Sequence, residues 1–284
     1  MNPRFSLYPW FLIVCISVLA QCKPKTTEPE QESFDKEAML ANIGSNVIAS
    51  NYALWKAECD GLKTAFSAFE EIQSDENLAE LKSSASLAYL SWNHCSVFEF
   101  GPAADQNLRL KLNTFPTDTA QVEVNLKNES VDLNTAQNAD AKGFPAIEYL
   151  LNSGKTADQF DVPSLNYLKA NIDLVALEAD DVASKWTDYK VEFAANTASS
   201  VGSPIGLLIN QINYEFELLK NARIGIPMGK KTLGISQVEK LEGYYSDQSR
   251  ALFLANLQGI EDAFSGRSGI GFDDYLDAQG IKKD

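Results

Sequence analysis

Histidine is almost absent: His94 is the single one in 284 residues. That excludes a zinc centre built from several histidines of one chain. Any serine or cysteine nucleophile with a histidine base would have to use His94. It lies beside Trp92 and Cys95 in a helical stretch, where a packed or surface histidine is the simpler reading. Basic residues are also scarce, 24 Lys and Arg against 39 Asp and Glu, for a formal charge of −15. This argues against a nucleic-acid partner, which needs Lys and Arg clustered at phosphates. An acidic surface tolerates cations and repels anionic polymers, although solubility alone accounts for the charge. The cysteines form no Cys-x-x-Cys pair, which argues against a redox dithiol. Alternating strand patterns are nearly missing. The glycine-rich run from Gly266 to Gly271 has no Lys-Ser/Thr ending and no strand before it, so it is not a phosphate loop.

What is present begins with a leader. Residues 1–21 carry Arg4 as their one charge, followed by an apolar stretch from Phe11 to Ala20. The stretch is short for a membrane span and reads as a secretory signal. Leu19-Ala20-Gln21-Cys22 is similar to a lipobox, in which Cys22 is acylated and becomes the mature N-terminus. Gln21 departs from the small residue usual there, and ordinary cleavage after Ala20 is the competing reading. The polar, proline-punctuated residues 22–35 suit a disordered tether. The expectation is an exported chain held to the bacterial cell envelope by a lipid at Cys22, in the periplasm or on the outer membrane.

A hydrophobic content of 45% supports a proper core, and the pattern beyond residue 34 is helical. Tyr52, Trp55, Cys59, Leu62, Phe66 and Phe69 step by three and four. Ser74-Asp75-Glu76-Asn77 breaks the run with turn and cap residues. Leu78, Leu81, Ala85, Ala88, Trp92, Cys95 and Glu99 repeat the spacing, so the two form an antiparallel hairpin ending at Gly101-Pro102. Cys59 and Cys95 both fall on inward stripes, as buried thiols or as a candidate disulfide. Residues 103–142 are polar, with short helical pieces at best, and lead towards a pocket wall. Leu165, Leu168, Ile172, Val175, Ala179, Val182, Trp186, Tyr189 and Phe193 mark the clearest helix, with Ser164 able to cap it. Ser203-Pro204 opens a helix whose apolar face is Ile205, Leu208, Ile212, Phe216 and Leu219. Ser246 suits the N-cap of a helix holding Phe253, Leu257, Ile260 and Phe264.

The stretch Gly143-Phe144-Pro145-Ala146-Ile147-Glu148-Tyr149-Leu150-Leu151 reads as the first turns of a buried helix carrying one acid. Pro145 suits the first helical position, and Glu148 then lies near the positive end of the helix dipole. On the residues alone this is a helix start with a favourably placed carboxylate. The stretch also resembles the Gly-x-His-x-x-Glu signature of the imelysin-like family. Gly143 and Glu148 match it, and Pro145 stands in the His position. Further resemblance lies in Trp92 to Pro102, in Leu112 to Asp118, in the loop Arg223 to Lys231, and in Val238 to Ser249 with its Tyr245-Ser246-x-x-Ser249 run.

The resemblance implies an all-α protein of two packed helical bundles, here residues 36–155 and 156–284. Family members usually continue with more helices, so the chain reads either as a short member or as a truncated one. The resemblance also implies a pocket at Gly143, Phe144 and Glu148, joined by Tyr245 and Ser249. In the family the His–Glu pair is the proposed metal site. Proline has no ligand atom in its side chain, which sets this chain with the non-peptidase branch. Three functions follow. The first is a non-catalytic lipoprotein linked to iron or metal acquisition, with Glu148 as an oxygen ligand to a metal or as a polar anchor, and Glu99 and Glu242 as further acids. The second is a metallopeptidase, which would need a metal held by carboxylates and His94. The third is a structural bundle that docks a transporter or another envelope protein.

Overall fold

The computed structural model describes residues 34–281. The expected leader, the expected lipid attachment at Cys22 and nearly all of the expected tether lie outside the described residues. Among the described residues there are helices, turns and loops, and no strand. No helix among them is long and apolar enough to cross a membrane.

The first helical run is unbroken from 36 to 71. It comprises α1 (Lys36–Asn42), a π-helical segment (Ile43–Ala49) and α2 (Ser50–Glu71). Asp35 starts it by accepting the Ala38 N–H at 2.9 Å. The six stripe positions of α2, from Tyr52 to Phe69, are all buried. Ile72 turns the chain, Ser74 accepts the Asn77 N–H at 3.2 Å, and α3 (Asp75–Cys95) runs back. The Trp55 and Trp92 rings meet across this hairpin with centroids 5.0 Å apart. Cys59 and Cys95 are both buried and both free, so the candidate disulfide is not formed.

The polar connection contains α4 (Pro102–Gln106), α5 (Leu108–Leu112) and α6 (Thr119–Asn125), before α7 (Gly143–Asn152). Helix α8 (Val162–Ala195) has 34 residues, about 50 Å of rise. Its stripe from Leu168 to Phe193 is buried, apart from half-buried Tyr189. Its cap is Asp161 rather than Ser164. Asp161 Oδ1 accepts both the Ser164 N–H at 3.0 Å and the Ser164 hydroxyl at 2.6 Å. The residue expected to cap is itself being capped. Helix α8 packs against α1, α2, α4 and α7, and one hydrophobic core runs through all of them.

Helices α9 (Pro204–Leu218) and α10 (Ser249–Ser265) keep part of their expected faces, with Ile205, Leu208, Leu219 and Ile260 buried, and depart from them elsewhere. On α9, Phe216 is 49% exposed while Glu215 beside it is fully buried. On α10, Phe264 is 37% exposed and Asn256 is fully buried. Each helix turns a polar residue into the core beside these apolar positions. A second π-helical segment, Leu219–Gly225, extends α9, and a short α11 (Phe272–Ala278) follows α10. Gly259 lets α10 lie against α3, because a Cβ there would come within 2.4 Å of the His94 carbonyl oxygen.

Candidate functional site

Helix α7 begins at a glycine that cannot be replaced without movement. Gly143 has φ +73°, and a Cβ on it would sit 2.3 Å from the Leu112 carbonyl oxygen. Its N–H is donated to Asn171 Oδ1 of α8 at 2.8 Å, which fixes the entry of the chain. Pro145 is the third residue of this helix rather than the first. That is still within the first turn, where N–H groups have no intrahelical partner. Phe144 lies flat against Tyr89 of α3, with centroids 4.8 Å apart and planes 3° from parallel. Gly143 and Phe144 therefore act as packing residues that set the helix in place.

Glu148 comes on the next turn and is 8% exposed. Its Oε1 accepts two hydrogen bonds from one residue, the Ser246 N–H at 2.8 Å and the Ser246 hydroxyl at 2.9 Å. Ser246 does not cap α10, which starts after Gln248 without a side-chain cap. It holds Glu148 instead, and so ties the 243–248 turn to α7. Burial raises the Glu148 carboxyl above its usual range; the Ser246 donors pull it down, and the nearby Glu242 charge pushes it up. Tyr245 stands beside this contact, edge-on to Tyr149 with centroids 4.9 Å apart. Burial also raises the Tyr245 phenol.

The space around Glu148 is small. A crevice of 20 Å³ opens on its Tyr89 and Phe144 side. One of 10 Å³ opens on its Pro145 and Tyr245 side. Each has room for about one water molecule. Among the described residues no group of three or more His, Cys, Asp and Glu is arranged to hold a metal ion. One oxygen of Glu148 is already taken by two donors, and Pro145 supplies no ligand atom. The donor set at Glu148 does not fit a resident metal.

A second buried acid site lies in the core between α3, α5, α9 and α10. Glu215 is fully buried. It accepts from Arg109 at 2.7 Å, Arg223 at 3.1 Å, the Ser96 hydroxyl at 3.0 Å and Asn256 at 2.6 Å. Arg223, on the second π-helical segment, also donates to Glu242 and to Asn93. Glu242 further accepts from Asn113 at 2.7 Å and from Asn93 at 3.2 Å. Burial alone would lower the Arg223 guanidinium, but the Glu242 and Glu215 charges outweigh it and hold Arg223 above its ordinary value. Two open recesses flank this network. One of 270 Å³ is lined by Arg223, Glu242 and Ser249 among others. The other, of 200 Å³, is lined by Arg109, Phe115, Tyr214 and Arg223. Residues 109–117 of the polar connection thus form walls of both the second recess and the smaller Glu148 crevice.

The expected site residues divide between these places. Gly143, Phe144, Glu148 and Tyr245 stand together on and around α7, whereas Ser249 faces the 270 Å³ recess. Glu242 belongs to the Arg223 network, although its charge reaches Glu148. Glu99 accepts the Arg109 N–H at 3.1 Å, and its carboxyl is raised by burial. His94 is half-buried on α3, and burial lowers its imidazole. Glu215, Arg109 and Asn256 received no functional reading from the sequence. The available signal was an acid and an amide standing where α9 and α10 should show an apolar face.

A family model described as Imelysin matches residues 48–282. An imelysin-like protein from Psychrobacter arcticum 273-4 has a similar solved structure, with a TM-score of 0.69 and 18% identity over 88% of this chain and 78% of that one. A protein named as an iron-regulated protein A precursor, from Parabacteroides distasonis ATCC 8503, has a TM-score of 0.71 and 18% identity over 87% of this chain and 79% of that one. No curated protein matches the chain.

Proposed function

The chain belongs to the imelysin family, and from that premise we propose that it is an exported, lipid-anchored binding component, non-catalytic and linked to iron at the bacterial cell envelope. The observation that carries the non-catalytic part is the Glu148–Ser246 contact. A catalytic zinc normally has three protein ligands and one open position. Here the motif acid is shut against a serine, its helix neighbour is Pro145, and the adjoining spaces hold about one water each. Glu148 acts as a polar anchor that closes the 243–248 turn onto α7. The iron link is supported by the name of the Parabacteroides relative, and export by its description as a precursor together with the leader sequence. Anchoring rests on Cys22 and the polar residues after it.

The test is accumulation of radioactive iron by cells lacking the chain, complemented with the full chain or with Cys22→Ser. Restoration by the full chain and release of the Cys22→Ser protein from the membrane fraction are expected. Equal accumulation with and without the chain would remove the iron link. Elemental analysis after exposure to Fe, Zn, Mn and Ca tests the role of Glu148. The metal content is expected to be the same in the parent and in Glu148→Ala. A stoichiometric metal lost in Glu148→Ala would overturn the anchor reading and restore the metallopeptidase.

A further inference from the structure

The 270 Å³ recess is larger than both Glu148 crevices and has a different chemistry. Its walls are Ile224 and Met228 from the end of the second π-helical segment and the loop after it, Leu241 from the following turn, and Phe253 from α10. Its polar groups are of two kinds. Arg223 and Glu242 lie at the buried side and satisfy each other. Ser249 and Arg250 lie at the open side, Ser249 half-buried and Arg250 exposed. Neither the Ser249 hydroxyl nor the Arg250 guanidinium has a hydrogen bond or an ion pair among the described residues.

We infer that this recess binds a small monocarboxylate with an apolar body, the carboxylate meeting Arg250 and Ser249 and the body lying against Phe253, Leu241 and Met228. The warrant is a concave apolar surface with a few converging polar groups, the usual form of a small-molecule site. Arg250 provides planar donors suited to a carboxylate, and Ser249 a further hydroxyl. Glu242 does not repel the anion, because Arg223 neutralises it at the buried side. On a chain of net charge −15, long-range attraction does not bring anions in, so an unpaired arginine beside apolar walls selects a ligand that gains from both. This site does not depend on the iron reading, since its test reads the binding of an organic anion and not of iron.

Titration of the full-length chain with phenylacetate, followed by calorimetry, tests the assignment. Phenylacetamide has the same shape without the charge and serves as the comparison. Phenylacetate is expected to bind, with phenylacetamide about tenfold weaker. Arg250→Gln is expected to weaken phenylacetate by a similar factor and to erase the preference for the acid. Met228→Glu, which sets a carboxylate at the rim, is expected to abolish binding. Arg250 and Met228 are both exposed, so both variants are expected to keep the melting temperature of the parent. No binding of phenylacetate up to its solubility limit, equal binding of acid and amide, or unchanged binding in Arg250→Gln would each overturn the proposal.

Discussion

Glu148 and Glu215 are buried acids on helices of the same core, and their surroundings differ in kind. Glu148 is held by neutral donors, an N–H and a hydroxyl from Ser246, and among the described residues no arginine or lysine is paired with it. Glu215 is held by two arginines, a serine and an asparagine. Neutral donors leave the Glu148 carboxyl raised by burial. In the second place two arginines face two acids, Glu215 and Glu242, so the charges balance within the core. A buried charge is tolerated when paired and hydrogen-bonded, and its partners become indispensable. The acid in the recognisable motif is therefore the lesser anchor of the two.

The largest test of this contrast is Arg223→Met. It leaves Glu242 without its cation and Glu215 with Arg109 alone, and should cost about 3–5 kcal/mol in urea unfolding. A loss under about 1 kcal/mol would mean that the network is not the stronger anchor. Gly143→Ala comes next. The Cβ has no room beside Leu112 and the positive φ disfavours it, so a loss of about 2 kcal/mol or more is expected in the same measurement. Glu148→Ala should cost about 1–3 kcal/mol by leaving the Ser246 N–H unpaired, and Ser246→Ala about 1 kcal/mol. Hydrogen exchange should show the 243–248 turn opening in both, with the core of α3 and α8 unchanged. Opening spread over the whole molecule would place Glu148 in the global core instead.

The smallest effect is on pH dependence. The folded chain keeps the Glu148 proton to a higher pH than the unfolded chain does. Between the ordinary carboxylate value of 4.5 and the raised folded value, the folded state binds more protons. Stability from this group is therefore fully present below that window and is lost as pH rises through it. Glu99 is raised by burial too and acts with the same sign, so the readout is the difference between parent and Glu148→Gln. The variant should show a flatter fall in melting temperature across the window. Identical curves would mean that Glu148 does not titrate there.

The elements that the sequence made legible are those whose inward residues are apolar. The stripes of α2, α3 and α8 carried helix and face together, and those of α2 and α3 their pairing as well, because the apolar residues around Trp55, Trp92 and Trp186 recur at helical spacing and are buried in the fold. Gly143 and Glu148 were readable as the start of a buried helix. Their partners were not, because Ser246 lies 98 residues from Glu148 and looks locally like a cap. Helices α9 and α10 were legible only in part, for the converse reason. Glu215 and Asn256 are buried through contacts with Ser96, Arg109 and Arg223, which only the fold brings near. Periodicity registers apolar burial and has no means of seeing a polar group satisfied from a distance.

The wide helical turn at Leu219–Gly225 places Arg223 between its two acids. Such a turn uses one residue more than the α-helical path around the same axis. In terms of the gene, it is a place where one codon could be lost without shifting the contacts on either side. A deletion of Ala222 would let the turn rewind as ordinary helix, with α9 before it and the loop after it still in phase. The residues inside the turn, Arg223 among them, would change direction. The aim of the central cation is thus set by chain length, and a length change of a single residue would redirect it while the bundle keeps its form.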